Sequence, residues 1–307
     1  MLNWAVIGAG DIARCRVIPA IQAEPRSRLH ALVTRDPAKA ADYGVAAYTD
    51  LETALADPEI GAVYVATPVA LHAPQSMAAL RAGKHVLCEK PVGLNYAEAC
   101  AMRDAARTTG RSLAIAYYRR FFPKVLRAKE LIEKGVIGRP VLAEANCHSW
   151  LPDEARGWLT RRAMAGGGPL YDIASHRIDV LNFLFGKPAR VAGLLSNVVH
   201  RMDVEDSATV VIDYESGVRG IVDARWNSHV YRDQCRIAGT GGEINLDPLS
   251  GPELRLPDGL IEQLPAHENV HYPLIENFVG AILDGGVPVS SIETAIETSW
   301  ITEQVKR

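Results

Sequence analysis

The sequence predicts an α/β protein with two domains. The first, over residues 1–120, is a doubly wound parallel sheet; the second, over 121–307, is an α+β domain with a mainly antiparallel, open-faced sheet. Three observations lead there. A chain of 307 residues is about two domains long. Short apolar runs alternate with helical patterns up to residue 120, and beyond it the hydrophobic period switches toward 2.

In the first stretch the strand candidates are residues 4–7, 29–33, 62–66, 85–88 and 113–116, whose continuous apolar character suits strands covered on both faces. Between them lie helical stripes. Ala13, Val17, Ala20 and Ile21 mark one, and Ala73, Met77 and Leu80 another, which ends before Gly83. Strand-helix repetition of this kind implies right-handed crossovers and a parallel sheet. After residue 120, a helix near 124–133 precedes strands in which Ala208, Val210, Ile212 and Tyr214 alternate with Thr209 and Asp213. Val218, Val222 and Trp226 repeat the pattern, and 141–148 and 234–238 are further strand candidates. Residues 247–259 read as Pro/Gly-rich loops. A sheet with one apolar and one mixed face can pack helices on one side and offer the other to a second subunit, so a homodimer or homotetramer through this sheet is expected.

Composition excludes several functions. Hydrophobic residues make up 48% and charged residues 22%, which argues against disorder. With 33 basic and 36 acidic side chains the net charge is -3, so no broad basic field exists to hold a nucleic acid or an anionic membrane. No apolar run approaches a membrane span, and the N-terminus enters a strand without the pattern of a secretory signal. The five cysteines are scattered and read as reduced, small buried residues, so a cytoplasmic protein with no metal set is expected.

Directly after the first strand candidate stands Gly8-Ala9-Gly10-Asp11-Ile12-Ala13, a G-x-G-x-x-A string opening a helix. Gly8 permits a tight turn, Gly10 lets backbone approach a pyrophosphate, and the small Ala13 lets helix and strand pack closely. The helix N-terminus adds N–H groups and partial positive charge. A dinucleotide site is therefore expected, the alternative being a structural glycine turn. The second strand ends in Thr34-Arg35-Asp36, where an NAD site would place an acid on the ribose. Thr34 and Arg35 suit a 2′-phosphate, which favours NADP, and Asp36 reads as a helix N-cap before Pro37. A solvated Arg35 with Asp36 turned to the ribose stays open.

Cys88-Glu89-Lys90-Pro91 follows the fourth of these strands. A lysine at the carboxyl end of a parallel strand points into the crevice where such sheets bind ligands; a solvated loop lysine is the alternative. That run, with Thr67-Pro68 and His72 upstream, Tyr117-Tyr118-Arg119-Arg120-Phe121, and the run from Gly166-Gly167-Gly168 through Asp172 to His176, strongly resembles the Gfo/Idh/MocA oxidoreductase family over nearly the whole chain. The resemblance implies a Rossmann domain binding NAD(P) and a substrate that is a sugar, polyol, cyclitol or dihydrodiol. It implies that Lys90 contacts the reacting hydroxyl, that Asp172 binds substrate, and that His176 is the catalytic histidine. It also places Thr67, Pro68 and Glu89 near the nicotinamide and its ribose, with His72 and Lys90 in the same cofactor-binding set.

Asp172 and His176 are i and i+4 on an expected helix, so they share a face opposite Ile173, Val180, Leu181 and Leu184. An acid one turn away can orient an imidazole for proton transfer near neutral pH. Asp179 reads as a surface charge or salt-bridge partner. The roles of Trp158, Arg161 and Arg162 stay open, as do binding or core packing for His148 and Trp150. The expected function is an NAD(P)-dependent oxidoreductase acting on CH–OH groups, with substrate held between the two domains. A non-catalytic cofactor-binding regulator and an NAD-dependent glycosidase are the rivals.

Overall fold

The computed structural model describes residues 1–151 and 157–306. The chain forms two compact units, one of residues 1–118 with 267–296 and one of 119–266 with 297–307. Sequence rhythm left everything past 120 in the second domain; the structure groups 267–296 with the first.

The first unit is a six-stranded, all-parallel sheet built from β1 (Leu2–Ile7), β2 (Ser27–Val33), β3 (Ala46–Tyr48), β4 (Ala62–Val65), β5 (His85–Cys88) and β6 (Leu113–Ile115). Its order is β3-β2-β1-β4-β5-β6, which reverses direction between β1 and β4. Trp4, Val6, Val63, Tyr64 and Leu87 are fully buried, as strands covered on both faces require. β3 has no sequence signature because three residues at a sheet edge, two of them alanine and mostly exposed, carry no readable period.

Residues 267–296 join this unit through side chains far apart in the sequence. Phe278, on the helix Tyr272–Leu283, lies 5.3 Å from the Trp4 ring. Asp284 accepts two hydrogen bonds from Arg26, at 3.0 and 2.7 Å. Beside the edge strand β6, Ile115 N–H donates to Ser290 O and Ala114 bridges Ser291. Backbone groups that an edge would leave open are thereby paired.

The second unit holds eight strands: β7 (Pro140–Trp150), β8 (Pro188–Ser196), β9 (Ser207–Tyr214), β10 (Arg219–Arg225), β11 (Asn227–Gly239), β12 (Gly242–Asn245), β13 (Glu253–Arg255) and β14 (Ile261–Gln263). Their order is β14-β13-β12-β11-β7-β10-β9-β8, antiparallel except for β7 beside β10. Ala145, Cys147, Val210, Ile212, Val222 and Ala224 are buried on one face, where Tyr214 Oη donates to Asn182 of the helix Ser175–Phe185. The other face carries Asn146, His148, Thr209, Asp223 and Arg225 and is partly exposed. β13 falls inside the stretch that composition reads as loop.

Lys124 opens the second unit's helix Pro123–Glu133 and is fully buried. Burial pushes its amine down to about 8, and the amine is spent on the carbonyls of Pro248 (2.6 Å) and Glu253 (3.0 Å), a structural role. Of the cysteines, Cys88, Cys147 and Cys235 are buried as expected, whereas Cys15 is exposed. Burial raises the buried thiols, Cys147 to about 11 and Cys235 to about 12, which keeps them unreactive. Among the described residues no helix is long and apolar enough to cross a membrane.

Candidate active site

Because all six strands of the first unit run the same way, the turns after β1, β2, β4 and β5 emerge at one edge of the sheet. This brings together Gly8, Ala9, Gly10, Asp11 and Ile12, then Thr34 and Arg35, Thr67 and Pro68, and Glu89 and Lys90. Backbone bonds tie the turns to neighbouring strands: Gly8 N to Val33 O at 2.9 Å, Ala66 N to Ile7 O at 2.8 Å and Glu89 N to Val65 O at 2.9 Å.

The two glycines of the first turn serve different needs. Gly8 has φ +95°, and a Cβ there would lie 2.9 Å from Ala66 O and 3.1 Å from Thr67 Cγ2. A Cβ on Gly10 would meet nothing within 4 Å. Gly8 is thus demanded by the fold, whereas no neighbouring atom of the fold requires the bare backbone at exposed Gly10. The helix begins at once, with Arg14 N bonded to Gly10 O at 3.0 Å and Ala13 fully buried. Its first-turn N–H groups have no partners within the helix, which fits a pyrophosphate lying against this cradle.

Beyond β2, Asp36 N–H donates to the Thr34 hydroxyl at 3.2 Å, and the Asp36 carboxylate accepts from Ala38 N–H at 3.2 Å. Asp36 therefore caps the short helix Ala38–Ala41, while Arg35 stands exposed. His72 is 1% exposed, with Nδ1 2.8 Å from Pro91 O and Nε2 2.9 Å from Thr67 O. Burial lowers its pKa. Its ring sits between the carbonyls of the Thr67 turn and the Lys90 turn, and the nitrogen that carries the proton donates to one of them. Lys90 is half-buried, and its peptide bond to Pro91 is cis.

Glu89 is 8% exposed. Its Oε1 accepts from Tyr64 Oη at 2.7 Å and lies 3.3 Å from His271 Nε2, and its Oε2 accepts from Lys90 N–H at 3.2 Å. Burial alone would raise this carboxyl, but His271, Tyr64 and the Lys90 charge hold it below the ordinary glutamate value. Sequence reading found Glu89 but neither Tyr64, which looks like one more core residue, nor His271, which carries no motif.

In the second unit Asp172 and His176 ride one continuous helix, wound as a π-helix over Leu170–Ala174 and as an α-helix over Ser175–Phe185. The glycine run before it has a steric cause: a Cβ on Gly168 would sit 1.9 Å from Glu205 O, and one on Gly167 would sit 2.6 Å from the Tyr171 ring. Glu205 Oε1 accepts from Gly168 N–H at 2.8 Å and from Leu170 N–H at 3.2 Å, capping the helix start. Burial raises the Glu205 carboxyl, with those N–H groups opposing.

Asp172 is half-buried and His176 is 4% exposed. The expectation of one polar and one apolar face fails for this helix, which is buried nearly all round between 174 and 185. Its polar residues are instead matched one by one. Arg177 Nη2 meets Asp233 at 2.5 Å, Asn182 Nδ2 meets Thr298 at 3.2 Å, and Asp179 pairs with Arg120. Asp179 is thus a salt-bridge partner, but a fully buried one. Arg162 is fixed to Asp203 through its N–H at 2.7 Å, while Arg161 is exposed and Trp158 half-buried. His148 lies on the open sheet face, not in the core, with Nε2 2.8 Å from Asp223, and Trp150 stacks on His229 at 3.9 Å.

The strand order and the open glycine turn define a dinucleotide-binding α/β fold of the oxidoreductase type. A family model described as an oxidoreductase family with an NAD-binding Rossmann fold matches residues 2–117, and the GFO/IDH/MocA C-terminal domain matches residues 125–245. The chain is 32% identical to 1,5-anhydro-D-fructose reductase of Ensifer adhaerens, over 96% of this chain and 92% of that protein. The aldose-aldose oxidoreductase of Caulobacter crescentus, solved with glycerol, has a TM-score of 0.90 at 28% identity, covering 100% of this chain and 96% of that one. Levoglucosan dehydrogenase, in complex with NADH and levoglucosan, has a TM-score of 0.89 at 26% identity, covering 99% and 96%. The chain belongs to the Gfo/Idh/MocA family and is an NAD(P)-dependent oxidoreductase.

Proposed function

We propose that this protein transfers a hydride between a nicotinamide cofactor, NADP in preference to NAD, and a secondary alcohol or carbonyl of a sugar, polyol, cyclitol or dihydrodiol. The observation that carries this reading is the open backbone at Gly10 on the same sheet edge as Lys90. Relatives that act on anhydro sugars and a solved relative holding NADH with levoglucosan support the substrate class.

Gly8, Ala9, Gly10, Asp11 and Ile12 would hold the phosphates, Thr34 and Arg35 the 2′-phosphate, and Thr67, Pro68 and Glu89 the nicotinamide side, with His72 bracing those turns. The bound cofactor supplies the hydride carrier. Lys90 holds or accepts the proton of the reacting hydroxyl and stabilises the developing alkoxide. Asp172 accepts hydrogen bonds from substrate hydroxyls, and His176 moves the proton to or from the reacting oxygen. The partly exposed polar sheet face around His148, Asp223 and Arg225 forms a subunit interface in a homodimer or homotetramer.

Fluorescence titration with NADPH and NADH, followed by a polyol and aldose panel, tests the reading. Lys90→Met should lower turnover by about 10²- to 10⁴-fold with cofactor still bound. Near-normal turnover in that variant overturns the assignment.

A further inference from the structure

A short segment from late in the chain ties together two of the turns at the candidate site, all within the first unit. Asn269 Nδ2 donates to Arg16 O at 2.8 Å, and Arg16 Nη1 donates to Glu268 O at 3.2 Å, which anchors the segment to the helix that follows the glycine turn. Asn269 Oδ1 accepts from His271 N–H at 3.1 Å. His271 is 1% exposed, lies 5.0 Å from the Tyr118 ring, and places Nε2 on Glu89, the residue before Lys90. Its Nδ1 is buried and has no hydrogen-bond partner among the described residues.

That arrangement limits what His271 can do. A carboxylate only accepts, so the nitrogen facing Glu89 must carry a proton, and the ring must be either the Nε2–H tautomer or the imidazolium. The groups around Glu89 are Tyr64 from β4, Cys88 and Lys90 from β5 and its turn, His72 from the neighbouring helix, and His271. Of these, Tyr64 and His271 are the side chains whose hydrogen bonds stabilise the ionised carboxylate.

We infer that His271 is a positioning residue: donating from Nε2, it holds the Glu89 carboxylate ionised and fixed beside Lys90, and the strap 267–271 links the phosphate-side helix to the reacting turn. This rests on the proposed oxidoreductase reading for its catalytic meaning, but not for its test.

The test is a carboxyl ¹³C titration of glutamate-labelled protein without cofactor, with Glu89 assigned through Glu89→Gln. In the wild-type protein Glu89 should titrate below the ordinary value of about 4.3. His271→Phe should raise its midpoint by about one unit or more, and His271→Gln, which restores an amide donor, should return it toward wild type. Turnover should follow, with kcat down roughly tenfold in the Phe variant, the cofactor KM little changed, and recovery in Gln. An unmoved Glu89 midpoint in folded His271→Phe overturns the inference. Should that variant not fold, imidazole ¹⁵N spectra of the wild-type protein decide: a proton on Nε2 supports it, and a bare Nε2 sinks it. Failure to bind either NADPH or NADH would instead overturn the proposed function and leave both spectra as they are.

Discussion

Arg120 and Asp179 face each other through two hydrogen bonds, Nε to Oδ2 at 2.8 Å and Nη2 to Oδ1 at 2.6 Å, with side chains 2% and 0% exposed. Burial pushes the Asp179 carboxyl above its ordinary value, and the guanidinium opposes the shift. Asp179 sits three residues after His176 on one helix, so this pair fixes the helix that carries the candidate histidine. Asp179→Ala removes the carboxylate that faces a buried guanidinium and should cost about 3–5 kcal/mol in urea unfolding. Arg120→Lys should also lose stability, because an ammonium cannot make the two-point contact. A loss below about 1 kcal/mol for Asp179→Ala would mean that the pair contributes no more than an exposed one.

The two glycines of the first turn should separate under mutation. Gly8→Ala places a Cβ against Ala66 O at φ +95° and should destabilise the fold by about 1–3 kcal/mol. Gly10→Ala should change stability by no more than about 0.5 kcal/mol, since nothing lies near the new methyl group, yet weaken NADPH binding strongly. Thermal melts and fluorescence titrations read the two effects independently. Unchanged NADPH affinity in Gly10→Ala would remove the pyrophosphate from this turn.

Arg35 is exposed at the end of β2, and Asp36 is already engaged as a cap. Arg35→Ala should therefore weaken NADPH by about tenfold or more, the range of a charge-assisted hydrogen bond, and NADH by much less. Equal losses for both cofactors would show that Arg35 does not read the 2′-phosphate.

Two aspartates, Asp206 buried and Asp223 half-buried, should contribute to the acid stability of the second unit. Asp206 accepts N–H bonds from Val198, Val199 and His200 and an amide bond from Asn227. Asp223 accepts from His148, Arg225 and Thr209. Burial alone would raise both carboxyls, but these donors depress both below their ordinary value. A depressed folded-state pKa contributes stability that is present above the unfolded value of about 3.9 and lost as pH falls through the folded one. Unfolding free energy should thus drop below about pH 4, and Asp206→Asn should flatten that drop. A variant whose acid limb matches the wild type would count against Asp206 as its source.

Much of the candidate site is legible without coordinates. The glycine turn, the Glu89-Lys90 run and the helix bearing Asp172 and His176 are contiguous stretches, so their residue types announce them. Five of the six strands of the first sheet are legible for the same reason, as apolar runs of four or more. β3, β8, β12, β13 and β14 are not: β3, β13 and β14 have three residues each, β12 mixes glycine with polar residues, and the nine-residue edge strand β8 carries apolar residues at its exposed positions, Ala192 and Leu194, so it shows no apolar-polar alternation. The helix from 170 to 185 misled for another reason. Its polar residues mark a helix matched on several sides by Arg120, Asp233 and Thr298, not a wet face, and such matching lies outside any periodic pattern.

By itself, then, the chain's order of residues determined the parallel and the mainly antiparallel sheet, the glycine turn and the candidate side chains, because each depends on neighbours within a few positions. Only the folded topology decided which buried polar groups meet: Glu89 with His271 across 182 positions, Arg120 with Asp179 across 59, and the glycine run with Glu205 across 37. A charge withdrawn from water needs a partner at hydrogen-bond distance, and crossovers and returning segments, not spacing along the chain, bring that partner within reach.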